Sequence, residues 1–427
     1  MPLLDINYKD LPVSPEELRL KALSWADAFP LAAYYYDHQI PYPHQGFTHM
    51  LAVSGGATIT FDPTTPFKSL RQELNKEKML CGYLGYDLKN NIENLESKNF
   101  DGLCFPPILF FQPEIILYFN EVTISIEYSD DYTQNILANI LATPAAQQAK
   151  PEGIKIQQRV SKEEYVAQVE KVRQHILEGN VYELNYCIEF FAEKASINPL
   201  ALYLALSEVS PTPFSGYLKF EDKYLLCASP ERFLKKQGPT IVSQPIKGTI
   251  KRGKTEAEDE QLRKRLRHDE KELAENMMIV DLVRNDLSRS CSTGSVKVEE
   301  MFGIYGFRQV WQMISTIVGS IKPGNDLVAV LLGAFPMGSM TGAPKISAMQ
   351  IIEEVEKTKR SLYSGAFGYI TPIQDYDFNV VIRSIQYNAA EKYLSFMVGS
   401  AITYDSVPER EYEECLLKAQ AILKVLS

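Results

Sequence analysis

The sequence predicts an α+β chain built on antiparallel sheets. Two observations predict it. Strand-like segments follow one another without a helix after each, so the strict alternation of a doubly wound parallel sheet is missing. No internal repeat of 20–50 residues and no low-complexity tract point to a solenoid or a disordered chain. The chain has 427 residues, 45% of them hydrophobic, which is ample for a large core.

Taken in order, residues 1 to about 142 read as mixed strand and turn. Leu51 to Phe61 reads as two strands about a Ser-Gly-Gly turn, and Ile108–Phe119 with Glu121–Tyr128 as a second hairpin bent near Asn120. The small, polar, proline-containing stretch from Thr143 to Gly153 reads as a linker, dividing the chain into lobes 1–150 and 151–427. Ser161 with Glu164 forms a capping box, and Tyr165, Val169, Val172 and Ile176 make the apolar stripe of a helix ending at Gly179. Strands follow at Val181–Phe191, Phe214–Phe220, Lys223–Ala228 and Thr240–Ile246. Lys254–Leu287 reads as helical, with Arg284-Asn285-Asp286 as a structural turn. Val296–Met301 and Met313–Val318 read as strands, and a helix begins near Pro344. Tyr363–Ile370, Phe378–Tyr387 and Tyr393–Ile402 complete the strands, before a closing helix from about Pro408.

Charge and cysteine content narrow the function classes. There are 44 basic and 54 acidic side chains, for a net charge of −10, and no polybasic block, so nucleic acid is not an expected partner. The six cysteines show neither CxxC nor zinc-ligand spacing and read as thiols of a reducing compartment. The N-terminus has no signal-peptide pattern and no apolar run approaches a membrane span, so a cytoplasmic protein without membrane contact is expected. The five histidines have no metal or triad spacing, and neither a Gly-x-Ser-x-Gly elbow nor a Walker A loop is present.

Three features carry chemistry. Lys247, in Pro245-Ile-Lys-Gly-Thr249, follows a strand and precedes a Gly-Thr turn; alone, that is an ordinary solvated turn lysine, but a desolvated amine there would be a nucleophile. Glu272 and Glu275 stand three apart on one helix, Glu411 and Glu414 three apart on the last. That spacing puts each pair on one helix face. Either pair alone is a solvated helix surface; brought together, the two offer hard oxygen ligands to Mg²⁺. Gly338 to Lys345 has Thr341 near an N-cap and Pro344 near the first turn, a helix N-terminus able to bind an anion.

Six strings in order resemble the chorismate-utilising enzymes, which include the first components of anthranilate synthase and aminodeoxychorismate synthase and the isochorismate and salicylate synthases. They are Ala228-Ser-Pro-Glu-Arg-Phe233, Pro245 to Thr249, Glu275 to Asp286, Gly338 to Lys345, Tyr363-Ser-Gly-Ala-Phe-Gly-Tyr369 and Pro408 to Glu414. The resemblance covers about residues 160–427, with a looser match at Gly82-Tyr-Leu-Gly-Tyr-Asp87. It implies an anthranilate-synthase-component-I-like fold, two packed antiparallel sheets with surrounding helices, in which 1–150 packs on a chorismate-binding catalytic region 151–427. It implies Mg²⁺ held by Glu275 and Glu414, with Glu272 and Glu411 holding its waters. Tyr363, Arg383 and backbone near Gly399 would bind the enolpyruvyl carboxylate, Lys418 would face the ring carboxylate, and Thr249 would contact substrate. Glu231 would be the general acid.

Within the family the resemblance is to aminodeoxychorismate synthase component I, which carries the Pro-Ile-Lys-Gly-Thr form. Members that add water carry a lysine base where this chain has Glu183, and anthranilate synthases have glutamine there and alanine in place of Lys247. Lys247 would attack C2 of chorismate as the C4 hydroxyl leaves, and ammonia from a separate glutamine amidotransferase would then attack C4. A neutral amine is needed, so the site would lower its pKa or pass its proton to a neighbour, Glu231 being the expected acceptor. Two departures stand out: Gln312 where many members have histidine, and Glu183, for which sequence supplies no role. The alternatives are anthranilate synthase component I, favoured less because no Leu-Leu-Glu-Ser string is present, and a non-catalytic chorismate-fold binding protein.

Overall fold

The computed structural model describes residues 3–56, 58–129, 135–151 and 153–427. Its strands form two sheets whose paired strands all run antiparallel. The larger sheet has 12 strands. It runs from Leu3–Asn7 through Thr123–Tyr128, Ile115–Phe119, Met50–Ser54 and Leu31–Tyr36 to Phe214–Phe220 and Lys223–Ser229, then Ser384–Asn388, Tyr393–Ile402, Glu183–Ala192 and Gly342–Ala343, with Gln157–Gln158 also on Glu183–Ala192. The smaller has 9 strands. Its path is Ile246–Lys251, Val310–Ser320, Thr240–Gln244, Arg232–Gln237, Tyr376–Val380, Ala366–Ile370, Leu80–Leu84 and Ile108–Phe111, with Lys297–Gly306 also on Val310–Ser320. Strands from before and after residue 150 share both sheets.

Alternation along the strands explains the layering. Tyr34 and Leu51 point to a core formed with helices such as Lys162–Leu177 and Pro408–Leu426. Their neighbours Tyr35 and Ala52 point the other way, into a core shared with Tyr83 and Phe367 of the smaller sheet. Leu80 and Leu84 face a third core with helices Pro66–Leu74, Glu270–Ser290 and Leu327–Ala334. The layers are therefore helix, sheet, sheet, helix. Tyr35 joins the two sheets: its ring stacks on Phe367 at 4.7 Å and its hydroxyl donates to the Gly368 carbonyl at 2.6 Å.

The α+β class and most element positions agree with the sequence reading. The capping box at Ser161 is present, and Pro408 opens the closing helix. Several local expectations change. Ile108–Phe119 is two strands in different sheets, because Pro113 has no N–H to continue a ladder and the chain crosses over there. Phe378–Tyr387 likewise splits between the sheets, around Arg383 at φ +50°. Only the first strand of Leu51–Phe61 forms (Met50–Ser54), and Ala57 lies outside the described residues. Lys254–Leu287 is two helices, Glu256–Arg267 and Glu270–Ser290, broken where Asp269 caps the second. Arg284-Asn285-Asp286 is inside that second helix and not a turn; Asp286 is buried and pairs with Lys345 at 2.6 Å. Thr341 is not an N-cap: its hydroxyl donates to the Met337 carbonyl, and the helix starts at Lys345.

Candidate active site

The candidate residues gather where the chain passes from one sheet to the other. Glu231 lies in the two-residue link between Lys223–Ser229 of the large sheet and Arg232–Gln237 of the small one. Arg383 lies in the link between Tyr376–Val380 and Ser384–Asn388, which crosses back. The two links are laced together: Val380 N donates to Glu231 O at 3.0 Å, Ser229 Oγ to Val380 O at 2.6 Å, and Ala228 N to Arg383 O at 3.3 Å. Two short crossovers thus hold an acid and a guanidinium on one seam.

Glu231 is buried, and Ser339 Oγ donates to its Oε1 at 2.7 Å. Burial pushes the carboxyl up to about 7, against the opposing Ser339 hydrogen bond and the charges of Lys247 and Arg383. Ser339 is held in turn by Asn185 Nδ2, which donates to its carbonyl at 3.3 Å. Arg383 is depressed to about 10 by burial, partly opposed by Glu231. Among the described residues its guanidinium takes no hydrogen bond or ion pair.

Lys247 is not on a turn. It lies in the strand Ile246–Lys251, at a register shift against Val310–Ser320, with Gly248 at φ +99°. A β-bulge, not a loop, aims its side chain. Asn276 Nδ2 donates to its carbonyl at 3.2 Å, and Ser315 Oγ donates to Asn276 Oδ1 at 2.6 Å. The side chain is 11% exposed, and its amine lies 2.5 Å from Oε1 of Glu183. The expected acceptor, Glu231, is therefore not the carboxylate in contact. Burial favours the neutral amine, but the charges of Glu183, then Glu275 and Glu231, outweigh it and hold the lysine above its ordinary range.

The two acidic pairs approach through Lys271, whose Nζ is 3.6 Å from both Glu275 and Glu411. Glu411 is buried and accepts from Ser406 Oγ at 2.9 Å. Burial, then repulsion from Glu275 and Glu414, pushes Glu272 up to about 7, and burial raises Glu275. Glu414 is exposed and pairs with Lys418 at 2.7 Å, which keeps its carboxyl low. As the side chains stand, no three His, Cys, Asp or Glu groups among the described residues form a metal cage. The donor set still fits a hard divalent cation: Glu275 Oε1 is buried without a hydrogen-bond partner, and Glu275 and Glu414 both repel the Glu272 carboxylate.

Lys418 also donates to the Gly399 carbonyl at 2.8 Å. Gly399 pairs with Cys187 across the sheet, and the Cys187 thiol lies 4.0 Å from the Tyr363 hydroxyl. A Cβ on Gly399 would stand 2.5 Å from that sulfur. Thr249 is apart from this group, exposed and opposite Gln312, whose buried Oε1 has no partner. Sequence reasoning missed the parts played by Ser339, Asn185, Asn276 and Lys271. Only Lys271 carried a readable signal, its four-residue spacing to Glu275.

Comparison with known proteins follows this geometry. The family described as chorismate binding enzyme matches residues 36–424. Aminodeoxychorismate synthase component 1 of Bacillus subtilis (strain 168) is 36% identical over 380 residues, 84% of this chain and 80% of that one. Anthranilate synthase component 1 of Thermus thermophilus is 34% identical over 363 residues, 81% of this chain and 77% of that one. The crystal structure of anthranilate synthase component I from Streptococcus pneumoniae TIGR4 superposes with a TM-score of 0.75 at 24% identity, covering 98% of this chain and 92% of that one, and so shares the fold. With a match over nearly its whole length, the chain belongs to the family of chorismate binding enzymes.

Proposed function

We propose that this chain is an aminodeoxychorismate synthase component I, converting chorismate and ammonia to 4-amino-4-deoxychorismate through a covalent bond to Lys247. The observation that carries the reading is a buried lysine, aimed by a bulge and ringed by carboxyls, beside the buried acid Glu231. The Bacillus subtilis relative's identity supports it, while the Thermus thermophilus relative, only slightly less similar, keeps anthranilate synthase as the second reading.

Each residue has a task its surroundings suit. Glu231, with a carboxyl near 7, holds a proton in about half of the molecules at neutral pH and can give it to the departing C4 hydroxyl, then take one from the incoming ammonia. Lys247 attacks C2, turning one difficult displacement into two easier ones. Arg383, without a hydrogen-bond or ion-pair partner among the described residues, is free to bind a substrate carboxylate, with Tyr363 and the backbone at Gly399 as the other proposed contacts. Lys418 contributes positive charge towards the ring carboxylate. Glu275 and Glu414, with Glu272 and Glu411, would hold Mg²⁺, which when bound neutralises a carboxylate of the dianionic substrate. Ammonia is scarce near neutral pH because its conjugate acid dominates, so a separate glutamine amidotransferase is the proposed supplier.

Intact-protein mass spectrometry with chorismate and Mg²⁺ but no ammonia tests the reading. Wild type should gain the mass of chorismate less one water, mapped to Lys247, and Lys247→Ala should gain nothing. An unmodified wild type, with Lys247→Ala turning over normally, would move the anthranilate reading ahead.

A further inference from the structure

Glu183 holds the position that the proposed mechanism leaves without a task. Its strand, Glu183–Ala192, is pinned on both sides. Tyr182 N donates to Ala343 O at 2.7 Å, Asn185 N donates to Thr341 O at 2.8 Å, and Leu184 pairs with Ile402 on the other flank. Gly342, at φ +154°, lets the short strand Gly342–Ala343 come so close that a Cβ there would sit 2.2 Å from the Glu183 carbonyl. The Glu183 side chain is 2% exposed; one oxygen lies 2.5 Å from Lys247 Nζ and the other is buried with no partner. Among the described residues Glu183 is the one carboxylate in ion-pair contact with that amine. Glu231 is instead committed to Ser339.

We propose that Glu183 is the base that takes the proton of Lys247 as the amine attacks and returns it when the amine departs. This rests on the covalent reading above. The protons and electron pairs balance. Lys247 passes one proton to Glu183, and its lone pair forms the bond to C2. The ring double bonds shift, the C4–O bond breaks, and hydroxide leaves as water with the proton of Glu231. Ammonia then bonds to C4, the C2–N bond breaks, and the neutral amine is released. Glu231 recovers a proton from the new C4 ammonium and Lys247 recovers its own from Glu183. The two carboxyls thus have separate duties, Glu231 at the leaving oxygen and Glu183 at the amine. A transfer across 2.5 Å between two backbone-anchored side chains needs no rearrangement.

The charged groups facing Lys247 are Glu183 from its strand, Glu275 from the helix Glu270–Ser290, Glu231 from the crossover, and Glu414 and Lys418 from the closing helix. Without Glu183 the proton must leave for solvent. The attack then draws only on molecules whose amine has already lost its proton, a fraction that rises tenfold per pH unit while the pH stays below the pKa of the amine. Adduct formation, followed by rapid quench and intact mass with saturating chorismate and no ammonia, should slow on the order of 100-fold or more in Glu183→Gln at pH 7. The ratio of variant to wild-type rate should rise about tenfold per pH unit between about pH 6 and 9, because any contribution from Glu231 cancels in the ratio. Glu183→Asp, which keeps a carboxylate, should hold a ratio nearly independent of pH. Glu183→Gln that binds chorismate and forms adduct at the wild-type rate across this range would overturn the proposal while leaving the Lys247 reading intact. Wild type that forms no adduct would overturn both.

Discussion

Replacing Glu231 by glutamine removes a proton that the folded chain holds and the unfolded chain does not. The side chain is 4% exposed, and burial lifts its carboxyl from 4.5 to about 7. Stability from this group is complete below about 4.5 and is lost as pH rises through about 7, because the unfolded chain gives up the proton first. The gap between those values, at about 1.4 kcal/mol per pH unit, corresponds to about 3 kcal/mol. Glutamine keeps the shape, still accepts from Ser339, and cannot ionise. Denaturant midpoints of wild type and Glu231→Gln should therefore diverge between about pH 4.5 and 7 and then run parallel, with wild type losing about 3 kcal/mol relative to the variant. In the infrared spectrum a protonated carboxyl band, absent from the variant, should disappear near pH 7. Parallel stability curves with no such band would mean that Glu231 is ionised throughout, and its role as proton donor would fall.

Two further outcomes are expected. EDTA should abolish turnover and Mg²⁺ restore it, and Glu275→Gln should cost on the order of 100-fold or more in rate with an unchanged circular dichroism spectrum; full activity in metal-free buffer would remove the metal assignment. Lys345→Met should destabilise the chain by about 3–5 kcal/mol, read by denaturant unfolding, because it leaves the buried Asp286 carboxylate unpaired.

The fold was legible wherever pattern is local. The capping box at Ser161, the strand Phe214–Phe220 and the proline-led closing helix follow from residues within a few positions of each other. What sequence could not show was which sheet a strand joins. Ile108–Phe111 and Ile115–Phe119 look like one apolar run, and so do the strands flanking Arg383, yet each run feeds both sheets. The crossover at Arg383, laced to the one at Pro230-Glu231, is what brings Glu231 and Arg383 together. The same limit hid the partner of Lys247. Glu183 is 64 residues away in sequence, and only the approach of the small sheet's edge strand Ile246–Lys251 to the strand Glu183–Ala192 of the large sheet puts their side chains in contact. The i,i+3 spacing did place each acidic pair on one helix face, but it gave no sign that Lys271 would stand between the pairs.

The identity of the product tests the central claim most directly. The purified chain, given chorismate, an ammonium salt and Mg²⁺, should release 4-amino-4-deoxychorismate, identified by mass and by its conversion to 4-aminobenzoate on adding a lyase specific for that compound. Anthranilate as the product, with pyruvate released by this chain alone, would contradict the account.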